Sequence, residues 1–402
     1  MEPNLDALLV LRSCAEHYPP TVNQANLLAG AGLRVGVIDL SFAGSVNALT
    51  PDIQRWRVHP MWNSKLEPPY PVWRRWTNWL RFRQTCRRVI RTMRPGVVIG
   101  YDTLGSLFVP PALGRYRTIY HFHELSGPEA GEGFGPRRAR LQAARNSRHA
   151  DLVVFPDTQR ARIFQTRVGL PTPPWIVMNC PRQMPTVPPS PLRQRLGETG
   201  AAGGPLVCYL GSIGADQGLV EAARSLRHWP AEARLVLIGG AADSMKNLIL
   251  AAAAEVNAAG RLVFLGPYPH TEALALAAGA DLGLALIQPN NESWTYSAGA
   301  INKRFEYMAL GLPQVTNDGP GVREIIEANG CGLCVDPRNP ATIGAAIRQL
   351  LNSREMRQQM SVAARTRHLE TYNYETQFAG VLDWIHNQCR TSRAEGRGLP
   401  LP

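Results

Sequence analysis

Short apolar segments that alternate with helical stretches constrain the fold of this chain more than any other feature. In the first half they lie at residues 7–12, 32–40, 96–102, 117–124, 150–157 and 173–181. In the second half they lie at residues 205–218 (a strand that runs into a glycine-rich loop), 234–240, 261–268, 281–287, 312–318 and 331–336. Strands separated by helices pair in parallel through crossover connections. The sequence therefore predicts an α/β protein with two Rossmann-like, doubly wound parallel-sheet domains facing a cleft.

A segment rich in Pro, Gly and Ala divides the two series of strands. We predict an N-terminal domain over residues 1–183, a linker over 184–203 and a second domain over 204–370. A C-terminal helix over 371–390 is expected to return to the N-terminal domain. The last residues, 391–402, are expected to form a disordered tail.

Composition places the chain among globular proteins, with 45% hydrophobic and 18% charged residues. No apolar run approaches the roughly 20 residues of a membrane-spanning helix. Acidic residues precede the first apolar run, unlike a signal peptide. The seven scattered cysteines favour reduced thiols, so we expect a cytoplasmic protein. Cys331 and Cys334 form a C-x-x-C that we interpret as part of a buried strand, because no second Cys/His pair lies nearby for a metal.

Positive charge is concentrated between Gln54 and Arg94, which hold eleven Lys/Arg and one acidic residue of a chain with net charge +12. The same stretch, residues 54–94, contains five of the nine tryptophans. Interleaved basic and aromatic side chains favour an anionic membrane surface. A solvated arginine face with tryptophans packed inward is the main alternative. Binding to nucleic acid through phosphate contacts and stacking is the other, and we do not expect it.

A glycine-rich turn, Gly211–Gly218, follows the first strand of the second half and precedes a helix. Its backbone amides are suited to a diphosphate at the helix N-terminus, although an ordinary strand–helix turn would have the same composition. The chain lacks the Gly-Lys-Ser/Thr of a P-loop.

The stretch from Asn302 to Glu324 predicts an amphipathic helix that ends at Gly311, followed by a strand and a second helix start. A helix-borne Glu306 can accept two ribose hydroxyls, and Lys303 can meet a phosphate as a point charge. Gly319-Pro320-Gly321 leaves backbone amides open to close approach. The alternative is that Lys303 and Glu306 are solvated surface charges.

Two histidines end the strand at residues 117–124, in the order His121-Phe122-His123-Glu124. Strand alternation puts both imidazoles on one side. Either histidine could bond a substrate or a backbone group. A metal is disfavoured because three ligands so close on one strand do not converge easily.

Absent motifs narrow the chemistry. The sequence has no G-x-S-x-G elbow, no H-E-x-x-H and no kinase catalytic set. The first strand–helix turn also lacks the glycine fingerprint of a dehydrogenase.

Several ordered motifs together resemble the retaining glycosyltransferases of family 4, which have the GT-B fold. In the second half they are YLGSIGADQGLVEA, RLVFLGPYPHTEALALAAGADLGLALI and NKRFEYMALGLPQVTNDGPGVREII. In the first half, Tyr120–Glu124, with Asp102 before it, is similar to a branch with a Tyr-Asp-x-His-Glu stretch. The resemblance implies transfer of a hexosyl group from a nucleotide-diphosphate sugar such as a UDP-sugar to an acceptor hydroxyl, with retention and without a metal or other cofactor (EC 2.4 class).

The resemblance also implies roles for individual residues. Glu306 corresponds to the glutamate that binds the donor ribose, and His123 to the histidine at the reacting sugar. The remaining donor-binding candidates are Gly211, Ser212, Gln217, Tyr268, Lys303, Gly319 and Gly321. The acceptor-side candidates are Asp102 and Glu124.

Two positions depart from the family pattern. A second glutamate commonly stands eight residues before the ribose glutamate, where this chain has Ala298, and Arg or Lys often stands at Gln217. These departures leave open a catalytically impaired GT-B subunit that binds a nucleotide sugar or a partner, and a nucleotide-sugar epimerase of GT-B fold. The acceptor classes considered are lipid-linked saccharides, polysaccharides and secondary metabolites. A lipid-linked acceptor would place the protein peripherally on the inner membrane leaflet.

Overall fold

The computed structural model describes residues 5–41, 47–59, 72–111, 115–127, 133–197 and 203–394. The chain folds as two units, one formed by Met1–Met178 with Gln377–Pro402 and the other by Asn179–Thr376. Each unit contains one parallel β-sheet with helical crossovers. The prediction of two doubly wound parallel-sheet domains is therefore confirmed.

Among the described residues, the sheet of the first unit has seven strands in the order β3-β2-β1-β4-β5-β6-β7. These strands are β1 Ala7–Val10, β2 Val35–Leu40, β3 Gln54–Val58, β4 Val97–Tyr101, β5 Arg117–His121, β6 Leu152–Phe155 and β7 Trp175–Ile176. The helices are α1 Pro19–Gly30, α2 Val72–Met93, α3 Asp102–Phe108, α4 Phe134–Ser147 and α5 Thr158–Val168. The strand order reverses beside β1 and β4, so the loops after these strands lie where doubly wound sheets bind ligands.

The sheet of the second unit has six strands in the order β10-β9-β8-β11-β12-β13. These strands are β8 Leu206–Leu210, β9 Arg234–Ile238, β10 Leu262–Gly266, β11 Leu282–Ala285, β12 Gln314–Asn317 and β13 Gly332–Val335. The helices are α6 Leu192–Gly197, α7 Leu219–Ser225, α8 Asp243–Ala254, α9 His270–Ala277, α10 Glu292–Thr295, α11 Asn302–Leu310, α12 Val322–Ile325, α13 Pro340–Asn352 and α14 Arg354–Glu370. A last helix, α15 Tyr374–Ala394, begins in this unit and continues in the first.

Strand β3 is absent from the sequence-based prediction and lies inside the basic stretch at 54–94. Its arginines alternate with Trp56 and Val58, which pack against the hydrophobic core of the first unit. Such an edge strand has too few apolar residues to stand out as an apolar segment. Residues 60–71 of the stretch, and the side chains of 72–75, lie outside the described part of the chain.

The division between the units falls after Met178, before the predicted domain end at residue 183. Helix α6 occupies part of the predicted linker, where Leu192 and Leu196 are fully buried in the core of the second unit. Two leucines at i and i+4 give this short helix one apolar side. The predicted C-terminal helix extends to residue 394, and residues 395–402 of the predicted tail lie outside the described residues.

Helix α11 is more buried than an amphipathic surface helix. Every residue from Arg304 to Leu310 is buried, so the helix is part of the interior of its unit. It ends at Gly311, whose φ of 66° is the left-handed C-cap that the sequence predicts. The alternative that Glu306 is a solvated surface charge is wrong, because this residue is only 5% exposed.

All seven cysteines are buried with free thiols. Cys331 precedes strand β13 and Cys334 belongs to it, as expected for a buried strand. Within the described ranges, none of the helices combines the length and the apolar character that crossing a bilayer requires.

Candidate functional site

The glycine-rich loop after β8 meets Lys303 of helix α11. The Lys303 ammonium donates to the Tyr209 hydroxyl at 2.8 Å and to Gln217 Oε1 at 2.7 Å. It also lies 4.1 Å from the centre of the Tyr209 ring. Gly211 has a φ of 116°, and a Cβ at that position would lie 3.7 Å from Lys303 Cε. The fold thus brings the predicted residues Gly211, Gln217 and Lys303 together.

Further contacts of the Tyr209 hydroxyl shape the turn itself. The Tyr209 hydroxyl lies 2.5 Å from the Ser212 carbonyl oxygen, and the Gln217 amide oxygen lies 3.0 Å from that hydroxyl. Ser212 therefore contributes its backbone rather than its side chain to this cluster. Tyr209 is buried at the end of β8 and was not among the predicted site residues.

Burial lowers the pKa of Lys303 to about 7, and the negative charge of Glu306 opposes this shift. The charge of the neighbouring Arg304 lowers the pKa further. An anion beside the ammonium would stabilise the charged form of the lysine. This lysine is therefore suited to a phosphate more than to bulk water.

Glu306 lies one turn after Lys303, and its carboxylate is paired with a residue that the sequence analysis missed. Nε2 of His270, the first residue of α9, lies 2.8 Å from Glu306 Oε1. Burial alone would lower the pKa of His270, but the hydrogen bond and charge of Glu306 raise it overall. The only sequence signal was the position of His270, two residues after the donor-binding candidate Tyr268.

The Gly319–Gly321 turn approaches Ala298 closely. Gly321 has a φ of 79°, and a Cβ there would lie 3.2 Å from the Ala298 Cβ. Ala298 is itself buried, at 3% exposure. A glutamate in place of Ala298 would therefore have to displace its neighbours.

Arg304, the residue after Lys303, anchors the segments that precede and follow helix α11. It is fully buried and donates to the Ser297 carbonyl at 2.7 Å, Thr316 Oγ1 at 2.9 Å and Asn317 Oδ1 at 2.5 Å. These bonds join the segment before α11 to strand β12. Arg304 thereby holds the chain on both sides of the helix that carries Lys303 and Glu306.

Tyr268 faces a different neighbour. Its hydroxyl accepts from Arg195 Nη1 at 2.9 Å, and the guanidinium carbon lies 5.3 Å from the ring centre. The Tyr268 side chain thus contacts helix α6.

In the first unit, Asp102 organises the end of strand β5. The Asp102 carboxylate accepts from the His123 backbone N–H at 2.7 Å and from the Glu124 N–H at 3.3 Å, and Oδ2 lies 3.2 Å from His123 Nδ1. Asp102 has a φ of 54°, a left-handed conformation that is uncommon outside glycine. The predicted residues Asp102, His123 and Glu124 are therefore adjacent.

His121 and His123 lie on the same side of the chain, as strand alternation predicts. Their ring centres are 5.1 Å apart, and His123 stacks on Tyr101 at 5.3 Å with an interplanar angle of 6°. His121 Nδ1 lies 3.1 Å from Gln24 Oε1. Burial, and secondarily the nearby His123, lower the pKa of His121 well below its ordinary value.

The acceptors around these rings assign their tautomers. Because Gln24 Oε1 and the Asp102 carboxylate only accept, Nδ1 of each histidine carries the proton. An imidazole that carries its single proton on Nδ1 presents a lone pair at Nε2. Both Nε2 atoms are buried and have no hydrogen-bond partner among the described residues. His123 Nε2 is therefore an unused acceptor.

One group in the described part of the chain has the spacing of metal ligands, namely Cys14, Glu16 and Asp39. The Arg55 guanidinium donates to Glu16 at 2.6 Å and to Asp39 at 2.5 Å. Burial raises the pKa of Glu16, but the hydrogen bonds from Arg55 and Cys14 lower it overall to about 2. A cation here would be repelled by the arginine, so we interpret the group as an ion-pair network that anchors β3.

The comparisons with known proteins agree with this architecture. The solved structures similar to this chain include sucrose-phosphate synthase from Thermosynechococcus elongatus, 15% identical with a TM-score of 0.72 over 98% of this chain and 100% of that one. Anabaena HepE in complex with UDP and glucose is 15% identical, with a TM-score of 0.71 over 95% of this chain and 99% of that one. WaaG, a glycosyltransferase involved in lipopolysaccharide biosynthesis, is 16% identical, with a TM-score of 0.66 over 94% of this chain and 99% of that one.

These similarities define the class of the molecule as an α/β protein with the GT-B glycosyltransferase fold. Residues 198–367 match the family model described as "Glycosyl transferases group 1". That segment contains the Gly211–Gly218 loop, His270, Lys303 and Glu306. No curated protein matches the sequence.

Proposed function

We propose that this protein is a retaining glycosyltransferase of family 4. It transfers a hexosyl group from a nucleotide-diphosphate sugar to an acceptor hydroxyl. UDP is the first nucleotide to test, because HepE was solved with UDP and glucose. The match of residues 198–367 to the group 1 glycosyltransferases supports the activity. One observation carries the proposal. Lys303 contacts the glycine-rich loop after β8, and the buried Glu306 follows it by one turn on the same helix.

Each part of this cluster has a role in binding a donor. Lys303 neutralises the diphosphate, beside backbone amides of the Gly211–Gly218 loop. Glu306 accepts hydrogen bonds from the ribose hydroxyls. Gly319 and Gly321 have no side chains, so the donor can also approach their backbone amides closely.

For the transfer we propose a front-face reaction without a metal ion. The bond between the anomeric carbon and the diphosphate oxygen breaks, and the acceptor oxygen bonds to the same face of the sugar. The departing phosphate oxygen takes the acceptor proton, so a pair of acid and base carboxylates is not required, in contrast to glycoside hydrolases. Lys303 supplies positive charge at the leaving group.

The direct test is a thermal-shift screen of the full-length protein with nucleoside diphosphates and their sugars. A ligand that binds the folded state raises the melting temperature by mass action. A shift with one nucleotide diphosphate, followed by transfer from the matching sugar donor, would support the proposal. The absence of a shift with every nucleotide in the panel would contradict it.

Replacing Glu306 with alanine should weaken nucleotide binding by about 1.5–3 kcal/mol, the scale of hydrogen bonds to a charged group. Isothermal calorimetry with the best nucleotide of the screen measures the loss. Glu272→Ala, an exposed carboxylate on α9, is the matched control and should bind normally. If Glu306→Ala binds the nucleotide with unchanged affinity, Glu306 does not bind the ribose.

Two alternative functions can be distinguished from sugar transfer by experiment. The buried Ala298 favours a subunit that binds a nucleotide sugar without catalysis, and hydrolysis or transfer of any donor would exclude that function. A GT-B epimerase would release a free epimer from the donor in the absence of an acceptor. Product analysis with and without an acceptor separates these reactions.

We also propose that the protein is cytoplasmic and docks peripherally on the inner membrane leaflet, near a lipid-linked acceptor. Helix α2 supports this proposal: Trp76 is 62% exposed, Leu80 is also exposed, and Arg87, Arg88 and Arg91 are exposed on the same helix. Trp79 instead packs on Phe108, so only part of the tryptophan set faces outward.

Co-sedimentation with phosphatidylglycerol vesicles at low salt tests the docking. We expect binding that weakens at high salt, because exposed charges are screened. Trp76→Ser combined with Leu80→Ser should reduce the bound fraction. Val362→Ser, which removes an exposed apolar side chain of the second unit, is the control. If the unaltered protein stays in the supernatant at low salt, the docking proposal is wrong.

A further inference from the structure

His270 makes a contact that the proposed donor site does not yet use. Its Nε2 lies 2.8 Å from Glu306 Oε1. The side chain of Glu306 is 7% exposed and that of His270 is 46% exposed. The imidazole therefore covers the carboxylate from the side of helix α9.

This contact leaves part of the carboxylate available. Among the described residues no donor bonds Glu306 Oε2, and Oε1 retains a second lone pair beside the imidazole. Lys303, one turn earlier on the same helix, already donates to Tyr209 and Gln217. His270 is thus the group that holds Glu306.

The orientation of the Glu306 carboxylate matters because a ribose presents two adjacent hydroxyls. A carboxylate accepts both only when its two oxygens are turned toward them, and a glutamate side chain has several rotamers to lose. A hydrogen bond to one oxygen restricts that freedom before the ligand arrives, which is preorganisation of the site.

We propose that His270 is a positioning residue that holds Glu306 in the orientation that accepts both ribose hydroxyls, and that the pair selects ribonucleoside diphosphates over their 2′-deoxy counterparts. This inference rests on the proposed function. It adds a residue 36 positions away in sequence and a discrimination that the donor site performs.

The experiment is calorimetric titration of the full-length protein with UDP, GDP and the 2′-deoxy form of each. The unaltered protein should bind the better ribonucleotide about tenfold more tightly than its 2′-deoxy form, since one hydrogen bond to a charged group is lost. His270→Ala should weaken ribonucleotide binding about tenfold and change 2′-deoxynucleotide binding by less than about threefold, so that discrimination disappears.

Two further variants separate positioning from a general structural role. His270→Gln keeps an N–H donor near the Nε2 position and should restore most of the discrimination. Thr271→Ala, at the next and exposed residue of α9, should leave discrimination unchanged. In a Glu306→Ala background, His270→Ala should have no further effect on either nucleotide.

The outcomes distinguish the two proposals. If the unaltered protein binds none of these nucleotides, the proposed function fails and the inference fails with it. If it binds ribonucleotides without discrimination, or if His270→Ala retains discrimination, the inference alone is wrong. Equal weakening of both nucleotide types in His270→Ala would also overturn it, because that result indicates a loss of local structure.

Discussion

Replacing His123 with alanine is expected to lower the rate of sugar transfer about a hundredfold, with donor affinity changed by less than about threefold. His123 Nε2 is a buried acceptor without a partner among the described residues, and Nδ1 is held by Asp102. An imidazole fixed in this way can accept a hydrogen bond from a hydroxyl of the reacting sugar. That bond would hold the sugar in place for attack at its anomeric carbon. Misplacement of a reacting group costs mainly rate, because binding energy comes from the rest of the donor.

Single-turnover transfer and donor titration together measure this effect. His149→Ala, an exposed histidine of the same unit, is the control and should keep full activity. His123→Ala also removes a ring stacked on Tyr101, so its melting temperature has to be measured alongside. Near-normal turnover in a folded His123→Ala protein would assign His123 a structural role.

The second large effect concerns stability. Arg304→Met should lower the free energy of unfolding of residues 179–376 by about 3–5 kcal/mol, because it removes the buried, charged guanidinium that donates to three acceptors. These acceptors are the Ser297 carbonyl, Thr316 Oγ1 and Asn317 Oδ1. Methionine fills much of the space of the arginine stem, so the loss reports the hydrogen bonds rather than a cavity.

Urea denaturation measures this loss, with the transition of the second unit identified as the one that bound nucleotide shifts. The matched control is Arg323→Met. Arg323 also bonds two carboxylates, Asp318 and Glu327, but its side chain is 52% exposed. Exposed ion pairs contribute about 0–1 kcal/mol, so the control should remain close to the unaltered protein. A loss below about 1 kcal/mol in Arg304→Met would contradict the anchoring role.

The sequence predicted the two parallel sheets because most of their strands are buried on both faces and form continuous apolar segments. Strand β3 escaped this pattern, since the arginines that alternate along it find their partners in Glu16 and Asp39, far away in the chain. Helix α11 was identified by its apolar spacing and its glycine stop. Spacing alone could not reveal that Arg304 and Glu306 are buried, because that depends on strands packed against the helix from elsewhere in the unit.

Within the candidate site, the residues in local motifs could be identified from the sequence, and those defined by distant contacts could not. Lys303 and Glu306 belong to a recognisable helix start, and Gly211–Gly218 to a recognisable turn. His270 and Arg304 acquire their roles from partners in other elements, such as Glu306 for His270 and Asn317 for Arg304. A lone histidine, or an arginine beside a lysine, gives no local pattern of its own.

The left-handed backbone of Asp102 restricts which residue types this position can accept. Glycine adopts the conformation without cost but has no carboxylate for the His123 ring and backbone N–H groups. Glutamate retains a carboxylate, but it is disfavoured at this φ and its longer side chain would move the acceptor. Asparagine tolerates the backbone and offers one acceptor oxygen, without the charge. Aspartate both tolerates the left-handed backbone and supplies the carboxylate that His123 contacts. Glycine at position 102 would meet only the first of these requirements, and glutamate would retain a carboxylate but not the favoured backbone conformation.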